Sequence, residues 1–235
     1  MTRTLLNKVF LGILIGLLSM DTACKKTESN PVTSENDLPT ANLFPWSPGR
    51  LFVYSAYDLD TTNSQKVSSS VHKEVTYVQS TANYQGKNAL RLIDSIYSPS
   101  GTLTTIDTAY IALESIDLYG WNSGWVALCK RSAGLNIEYD AGQVQEIVMG
   151  ITLTLNAKGK IYPKEDVSVP IGTMKAFKSE FRINVNIAGI AIDALSYFYF
   201  ADGYGLVKST TPPPRDPLTG KKTVGTELIL VSKNF

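Results

Sequence analysis

The chain reads KAFKSEFRINVNI over residues 175–187, then AG, then IAIDALSYFYFA over residues 190–201, and this stretch decides the fold class. Apolar residues hold most alternate positions from Phe177 to Ile187, whereas charged and amide residues hold the positions between them. This alternation predicts a strand with one buried and one wet face. Residues 188–189 predict a tight hairpin between the two halves. The stretch therefore predicts two long antiparallel strands.

Further segments of strand length lie on both sides of this hairpin, separated by Gly, Pro, Asn and Ser. Short connections favour antiparallel neighbours, and residues 98–101 and 156–159 have the composition of turns. We predict a mostly β fold, as a single curved antiparallel sheet or a half-open barrel, with a β-sandwich as the alternative. The predicted strands cover residues 51–59, 71–80, 89–97, 103–113, 125–130, 144–155, 175–187, 190–201, 206–210 and 223–232.

The N-terminus has the features of an export signal. Arg3 and Lys8 precede an apolar run over residues 9–18, which is shorter than the roughly 20 residues that span a bilayer. Residues 19–24 resemble a lipoprotein signal-peptidase box, with Ala23 before Cys24 and Asp21 where an aliphatic residue is usual. We predict a signal peptide over residues 1–23 and a lipid on Cys24. The alternative is an ordinary thiol at the end of an uncleaved anchor helix.

Composition separates a tether from the folded domain. Residues 24–42 are rich in Lys, Thr, Ser, Asn, Asp, Glu and Pro, which predicts a flexible tether, and residues 43–235 are predicted to form one β domain. The chain has 22 basic and 21 acidic residues, and removing Arg3, Lys8 and Asp21 with the signal leaves equal numbers. This neutral balance argues against nucleic acid as a partner.

Three local patterns carry a family resemblance: FPWSPGRLFVY at residues 44–54, VPIGTMKAF at residues 169–177 and YFADGYGLVK at residues 199–208. Together they resemble a group of bacterial exported lipoproteins of the Bacteroidota type, in which Trp usually stands at the position of Phe52. The group is distantly similar to half-barrel carriers of the lipoprotein-localisation type. The resemblance implies a curved antiparallel sheet around an apolar cavity, and it implies no particular ligand or activity.

A search for catalytic or metal-binding residues returns little. His72 is the sole histidine, and we interpret it as a solvent-facing strand residue. Cys129 is interpreted as a buried apolar residue, and Asp58 with Asp60 as part of a turn rather than a calcium site. We therefore expect no enzyme, no cofactor and no metal. We also considered the acidic residues as catalytic candidates, and we predict that most of them lie on the solvent-exposed face of the sheet. The residues considered are Asp58, Asp60, Asp94, Asp107, Glu114, Asp117, Glu138, Asp140, Glu146, Asp193 and Asp202.

Aromatic residues are the more suggestive feature. Trp121 and Trp125 flank a short loop, and Phe198 lies in an aromatic strand, so these three are the candidate ligand-binding residues. The first hypothesis is a lipoprotein, anchored to the membrane through its lipid, that binds or carries a hydrophobic small molecule. The second is a structural or adhesive module that acts through its surface. Either would lie in the cell envelope, at the periplasmic or surface face of the outer membrane.

Overall fold

The computed structural model describes residues 43–148, 151–187, 190–215 and 221–235. The fold in these residues is almost entirely β, with short 3-10 turns at Ser68–Ser70 and Arg131–Ala133. No helix in the described ranges has the length and apolar character needed to cross a membrane. The strands are β1 (Leu51–Leu59), β2 (His72–Tyr84), β3 (Lys87–Tyr97), β4 (Leu103–Glu114), β5 (Asp117–Trp121), β6 (Trp125–Lys130), β7 (Glu138–Val148), β8 (Ile151–Val169), β9 (Gly172–Ile187), β10 (Ile190–Ala201), β11 (Gly205–Thr211) and β12 (Gly225–Lys233).

All twelve strands form one antiparallel sheet in the order β6-β5-β4-β3-β2-β1-β12-β11-β10-β9-β8-β7. Consecutive strands pair with each other except β6 and β7, which lie at the two ends of this order, and the first strand also pairs with the last, from Phe52 opposite Lys233 to Leu59 opposite Gly225. The sheet is therefore two meanders, β1–β6 and β7–β12, joined through β1 and β12. The predicted single curved antiparallel sheet is confirmed.

The sheet curls until its two edge strands, β6 and β7, approach each other, and this forms a nearly closed barrel. The backbone N–H of Gln145 on β7 donates to Oγ of Ser123, 2.9 Å away. A Cβ added to Gly142 would lie 2.8 Å from the carbonyl oxygen of Trp125, so the two backbones are close. Strands β6 and β7 share no ladder in the described residues. These contacts define the seam of the barrel, between β6 and β7.

Alternation places large apolar side chains on the inner face of the sheet. The fully buried ones include Phe52 on β1, Phe177 and Phe181 on β9, and Phe200 on β10. Each stabilises the fold by about 1.5–3 kcal/mol through burial alone. Phe44, just before β1, extends this core with its ring edge-on to Phe200 at a centroid distance of 5.2 Å. The core therefore connects the first meander with the second.

The sequence prediction is wrong along β7 and β8. The single strand predicted over residues 144–155 is the meeting of two strands, because Val148 pairs with Ile151. The turn predicted at residues 156–159 is part of β8. Gly159 does not bend the chain, since it makes room for the ring of Tyr139, which a Cβ there would approach to 2.3 Å. Strand β5 was missed, because it is only five residues long.

The two predicted turns and the N-terminal segment have different outcomes. The turn at residues 98–101 is confirmed, with the N–H of Gly101 donating to the carbonyl oxygen of Ser98 at 2.8 Å and Gly101 at φ 85°. Strands β9 and β10 pair from Ile187 opposite Ile190, as the predicted hairpin requires. Its turn, residues 188–189, lies outside the described residues. The signal peptide, Cys24 and the tether also lie outside them.

Candidate functional site

Trp121 and Trp125 are brought together by the β5–β6 hairpin. They stand directly opposite each other in the ladder, with ring centroids 5.4 Å apart at an interplanar angle of 73°. The position of Gly120, just before Trp121 on β5, shows which face of the sheet the two Trp side chains occupy. Gly120 is opposite Ile111 on β4, whose buried side chain is on the inner face. Successive side chains point to opposite faces of a strand. Both Trp side chains are therefore on the outer face of the barrel.

Two tyrosines join them there. Tyr84 at the end of β2 and Tyr110 on β4 stack face to face, with centroids 3.6 Å apart and planes 3° from parallel. Tyr84 also meets Trp121 edge-on at 5.5 Å and Trp125 at 6.5 Å. We call Tyr84, Tyr110, Trp121 and Trp125 the outer aromatic cluster. Sequence reasoning missed the two tyrosines, because only the register of β2 to β6 brings them beside the hairpin.

The outer aromatic cluster has an apolar floor and a polar border. Ala89 and Ala112, opposite each other on β3 and β4, are buried although they face outward. At the border, the ammonium of Lys87 forms an ion pair with Glu114 and lies 4.6 Å from the ring centroid of Tyr119. Burial, then the charges of Asp117 and Glu114, raise the pKa of Tyr119. The border therefore carries both signs of charge.

Phe198 lies on the other face of the sheet. It is buried on β10, with Ser179 and Ser209 opposite it on the neighbouring strands, and its ring is 6.4 Å from that of Phe200. Its chain neighbours on either side are only partly buried, as expected of the outer face. The structure thus brings two of the three candidate residues together and places Phe198 apart from them.

The inner face also carries carboxyl groups, against expectation. Asp94 and Asp107 stand directly opposite each other on β3 and β4 and are only 1% and 2% exposed. Thr76, opposite Asp94 on β2, donates its hydroxyl to Oδ1 of Asp94 at 2.6 Å. The prediction that these acids lie on the wet face is wrong. It fails because alternation separates two faces without saying which of them is buried.

The buried polar side chains of the inner face continue beyond Asp94 and Asp107 onto two more strands. Tyr54 on β1 and Glu74 on β2 are opposite each other, and both are buried. Burial, followed by the charges of Asp94 and Glu74, raises the pKa of Tyr54. Its hydroxyl donates to the carbonyl oxygen of Leu206 at 3.2 Å. This environment therefore stabilises the neutral form of Tyr54, in which the phenol hydroxyl donates a hydrogen bond.

The prediction that His72 faces solvent is wrong, because both ring nitrogens of its imidazole contact protein oxygen atoms. Its Nε2 lies 3.1 Å from Oε1 of Glu74, and its Nδ1 lies 3.1 Å from the carbonyl oxygen of Ser70. The carbonyl can only accept, so Nδ1 is the donor in that contact. The side chain is 21% exposed, in line with a mainly structural position.

The remaining candidates behave as small structural features. Cys129 is fully buried, and burial raises the pKa of its thiol to about 12, which keeps it protonated and unreactive at neutral pH. Asp60 closes a turn by accepting from the N–H of Thr62 at 2.8 Å and of Asn63 at 3.2 Å. Among the described residues, no group of three or more His, Cys, Asp and Glu side chains is arranged to hold a metal ion.

The fold defines a class: single-sheet antiparallel β proteins curled into a nearly closed barrel. Two solved structures share it. One is a protein assigned as a lipoprotein from Parabacteroides distasonis, with 12% identity and a TM-score of 0.54 over 82% of this chain and 98% of that one. The other is a protein assigned as exported, with a YmcC-like fold, from Bacteroides fragilis, with 12% identity and a TM-score of 0.53 over 83% and 99% of the two chains. No family model and no curated protein sequence matches the chain. At this identity the likeness shows the fold.

Proposed function

We propose that this chain is a lipid-anchored protein of the bacterial cell envelope that binds a hydrophobic molecule without catalysing a reaction. The anchor is Cys24, after removal of residues 1–23, and the location is the outer membrane at its periplasmic or surface face. The sequence features of residues 1–42 support export. The names of the two structures that share the fold, an assigned lipoprotein and an assigned exported protein, are consistent with it. The proposal includes no cofactor.

The observation that carries this proposal is how the barrel closes. Elsewhere in the sheet, neighbouring strands are joined by ladders, and separating them would break a series of backbone hydrogen bonds. At the seam, the link is instead made by hydroxyl groups: Ser123 accepts from the N–H of Gln145 at 2.9 Å, and Tyr139 on β7 accepts from the N–H of Lys130 on β6 at 3.4 Å. The seam is therefore the least costly place to open the barrel.

Behind the seam lies an apolar surface suited to an acyl chain. Phe181, Ile183 and Phe198 are buried on the inner face of β9 and β10. Because they are covered in the closed barrel, a ligand must reach them through an opening, and separation of β6 from β7 would uncover the inner side of β9. Apolar contact with these side chains would supply the affinity.

A disulfide across the seam tests this route. We expect the full chain, purified in mild detergent, to take up oleate in native mass spectrometry. The double variant Ser123→Cys, Gln145→Cys should take up oleate when reduced and lose uptake when oxidised, with the disulfide verified by mass. The matched control is Ser123→Cys alone, which should bind under both conditions.

Two results would count against the proposal. Equal oleate uptake by the oxidised and reduced double variant would rule out the seam as the route. A clean protein mass with no oleate, from wild-type chain that retains its β-sheet circular dichroism, would rule out the hydrophobic-ligand function. That second result would leave the structural or adhesive module, which is favoured by one observation, namely that Trp121 and Trp125 lie on the outer face.

A further inference from the structure

Two positively charged side chains, Arg50 and Lys233, lie together at one end of the barrel, where the chain enters β1 and leaves β12. We infer that the hydrophobic ligand is an anionic amphiphile, and that Arg50 and Lys233 bind its negatively charged head group. This rests on the proposed function, because it names the chemical class of the molecule held inside the barrel.

Both cations lie over the same aromatic ring. The guanidinium carbon of Arg50 is 4.1 Å from the ring centroid of Phe235, and the ammonium nitrogen of Lys233 is 4.2 Å from it. Each cation donates to a backbone carbonyl oxygen, Arg50 to that of Pro45 and Lys233 to that of Gly203 at 2.6 Å. Within the part of the chain that the structure describes, neither forms an ion pair with a carboxylate. One head group can therefore reach two cations whose charges are not paired.

The electrostatics of this end of the barrel favour an anion. Burial, and then the positive charge of Arg50, lowers the pKa of Lys233. Asp202, beside Gly203 in the turn, acts on Lys164 instead, where burial lowers the pKa and the charge of Asp202 opposes that effect. A carboxylate or phosphate would accept charge-assisted hydrogen bonds from Arg50 and Lys233. A neutral head group would gain weaker bonds, and a cationic one would be repelled.

An apolar path connects the two cations to the interior of the barrel. Lys233 is directly opposite the buried Phe52 in the ladder, so the two side chains are on the same, inner face of the sheet. Aromatic rings follow one another from there into the core, with neighbouring centroids 5.2–6.4 Å apart. In order of contact they are Phe235, Phe52, Trp46, Phe44, Phe200 and Phe198. The cations therefore lie at the end of the surface proposed for an acyl chain, as an amphiphile requires.

The alternative is that the two cations only hold the ring of Phe235 in place through cation–π contacts. Contacts of the same kind occur on the outer face of the barrel, where the ammonium of Lys178 lies 4.2 Å from the ring centroid of Tyr197. Lys178 is opposite the half-buried Tyr199 and is not on the inner face. It is therefore a matched control for a lysine whose role is limited to such a contact.

The test compares three lipids with the same acyl chain length, by native mass spectrometry of the full chain purified in a mild non-ionic detergent. Oleate carries a carboxylate, oleoyl lysophosphatidate carries a phosphate, and oleyl alcohol carries no charge. At a mildly alkaline pH, where oleate is ionised, we expect at least one of the two anions to bind about tenfold or more tightly than the alcohol. The preferred anion then identifies the head group as a carboxylate or a phosphate.

Variants of the two cations connect this preference to the site. Arg50→Gln and Lys233→Gln should each reduce the preference for the anion about tenfold, because each removes one of the two charges. Arg50→Lys should keep most of it, which separates the loss of the charge from a change in packing. Lys178→Gln should leave the preference unchanged.

Folding of each variant is checked by circular dichroism and the thermal midpoint, and the comparison of the three lipids on the wild-type chain needs no variant. If oleyl alcohol binds as tightly as both anions, the inference is overturned and the hydrophobic-ligand function stands. It is also overturned if folded Arg50→Gln and Lys233→Gln variants keep the full preference, or if Lys178→Gln reduces it equally. If none of the three lipids binds, the proposed function itself is overturned.

Discussion

Glu227 shows how a single charged residue can stabilise the sheet from its outer face. Its carboxylate is within 2.6 Å of the ammonium of Lys66 and 2.9 Å of that of Lys208. Burial raises the pKa of Glu227, but hydrogen bonds from the two lysines and their positive charges outweigh burial and hold the pKa below 4.5. Glu227 on β12 therefore links that strand to Lys66 in a loop and to Lys208 on β11.

We predict that Glu227→Gln lowers the free energy of unfolding by about 1–2 kcal/mol at pH 7, because hydrogen bonds between charged groups are lost. A lowered native pKa means that the contribution is complete above pH 4.5 and is lost as pH falls through the native pKa. The difference between variant and wild type should therefore shrink in acid. Urea unfolding at pH 7 and in steps below pH 4.5 measures it.

The matched control is Asp166→Asn, whose carboxylate pairs with Lys175 while both side chains are more than 60% exposed. Its cost should stay within about 0.5 kcal/mol, as for most exposed ion pairs. An equal cost for the two variants, or a Glu227→Gln cost that does not change with pH, would contradict the pairing described for Glu227.

Residue-level sequence reasoning succeeded where composition alone decides burial, and failed where cross-strand partners decide it. Cys129 could be predicted as buried, because it follows Val, Ala and Leu in an apolar strand. Asp94 and Asp107 could not, since a carboxyl group tolerates the inner face only beside partners such as Thr76, which is 18 residues away from Asp94 along the chain. The same limit hid Tyr84 and Tyr110.

At the level of elements, the register between β7 and β8 depends on one small residue. Gly159 stands opposite Tyr139, and the tyrosine ring occupies the space that a Cβ on Gly159 would need. The Tyr139 hydroxyl also accepts from the N–H of Lys130 on β6 at 3.4 Å, so this packing connects to the seam. Sequence reasoning interpreted this glycine as a turn residue, because backbone flexibility and close packing leave the same signature in a sequence.

We predict that Gly159→Ala lowers the free energy of unfolding by about 1–3 kcal/mol, the usual cost of overpacking a buried site. The cost of Gly159→Ala should be smaller in a Tyr139→Ala background, because the ring that the new methyl group would meet is then absent. Thermal and urea unfolding of both variants measure this, with Thr154→Ala on the exposed face of β8 as the control. A double variant less stable than the sum of the two single changes would contradict the packing described here.

At the level of the whole molecule, the fold could be predicted better than the site. Ten segments of alternating or apolar character were enough for a single curved antiparallel sheet, because alternation is a local property. The pairing of β1 with β12 joins the two meanders into one sheet and has no local signature. Trp121 and Trp125 could be grouped from the sequence because they belong to one hairpin. Phe198 was wrongly grouped with them, because its place relative to that hairpin depends on long-range strand pairing.

The lipid anchor is a property of the whole chain, and the two cysteines provide a matched test of it. Expressed with its N-terminus in a Gram-negative host, the wild-type chain should yield a membrane-bound form whose mass equals residues 24–235 plus a diacylglycerol and an acyl group. Cys24→Ser should lose that lipid mass, because the thiol is the attachment point, whereas Cys129→Ala should keep it, since Cys129 is buried in the barrel. Intact-mass measurement of the membrane fraction decides the question. A wild-type mass of all 235 residues without lipid would instead support an uncleaved anchor helix ending at a free Cys24 thiol.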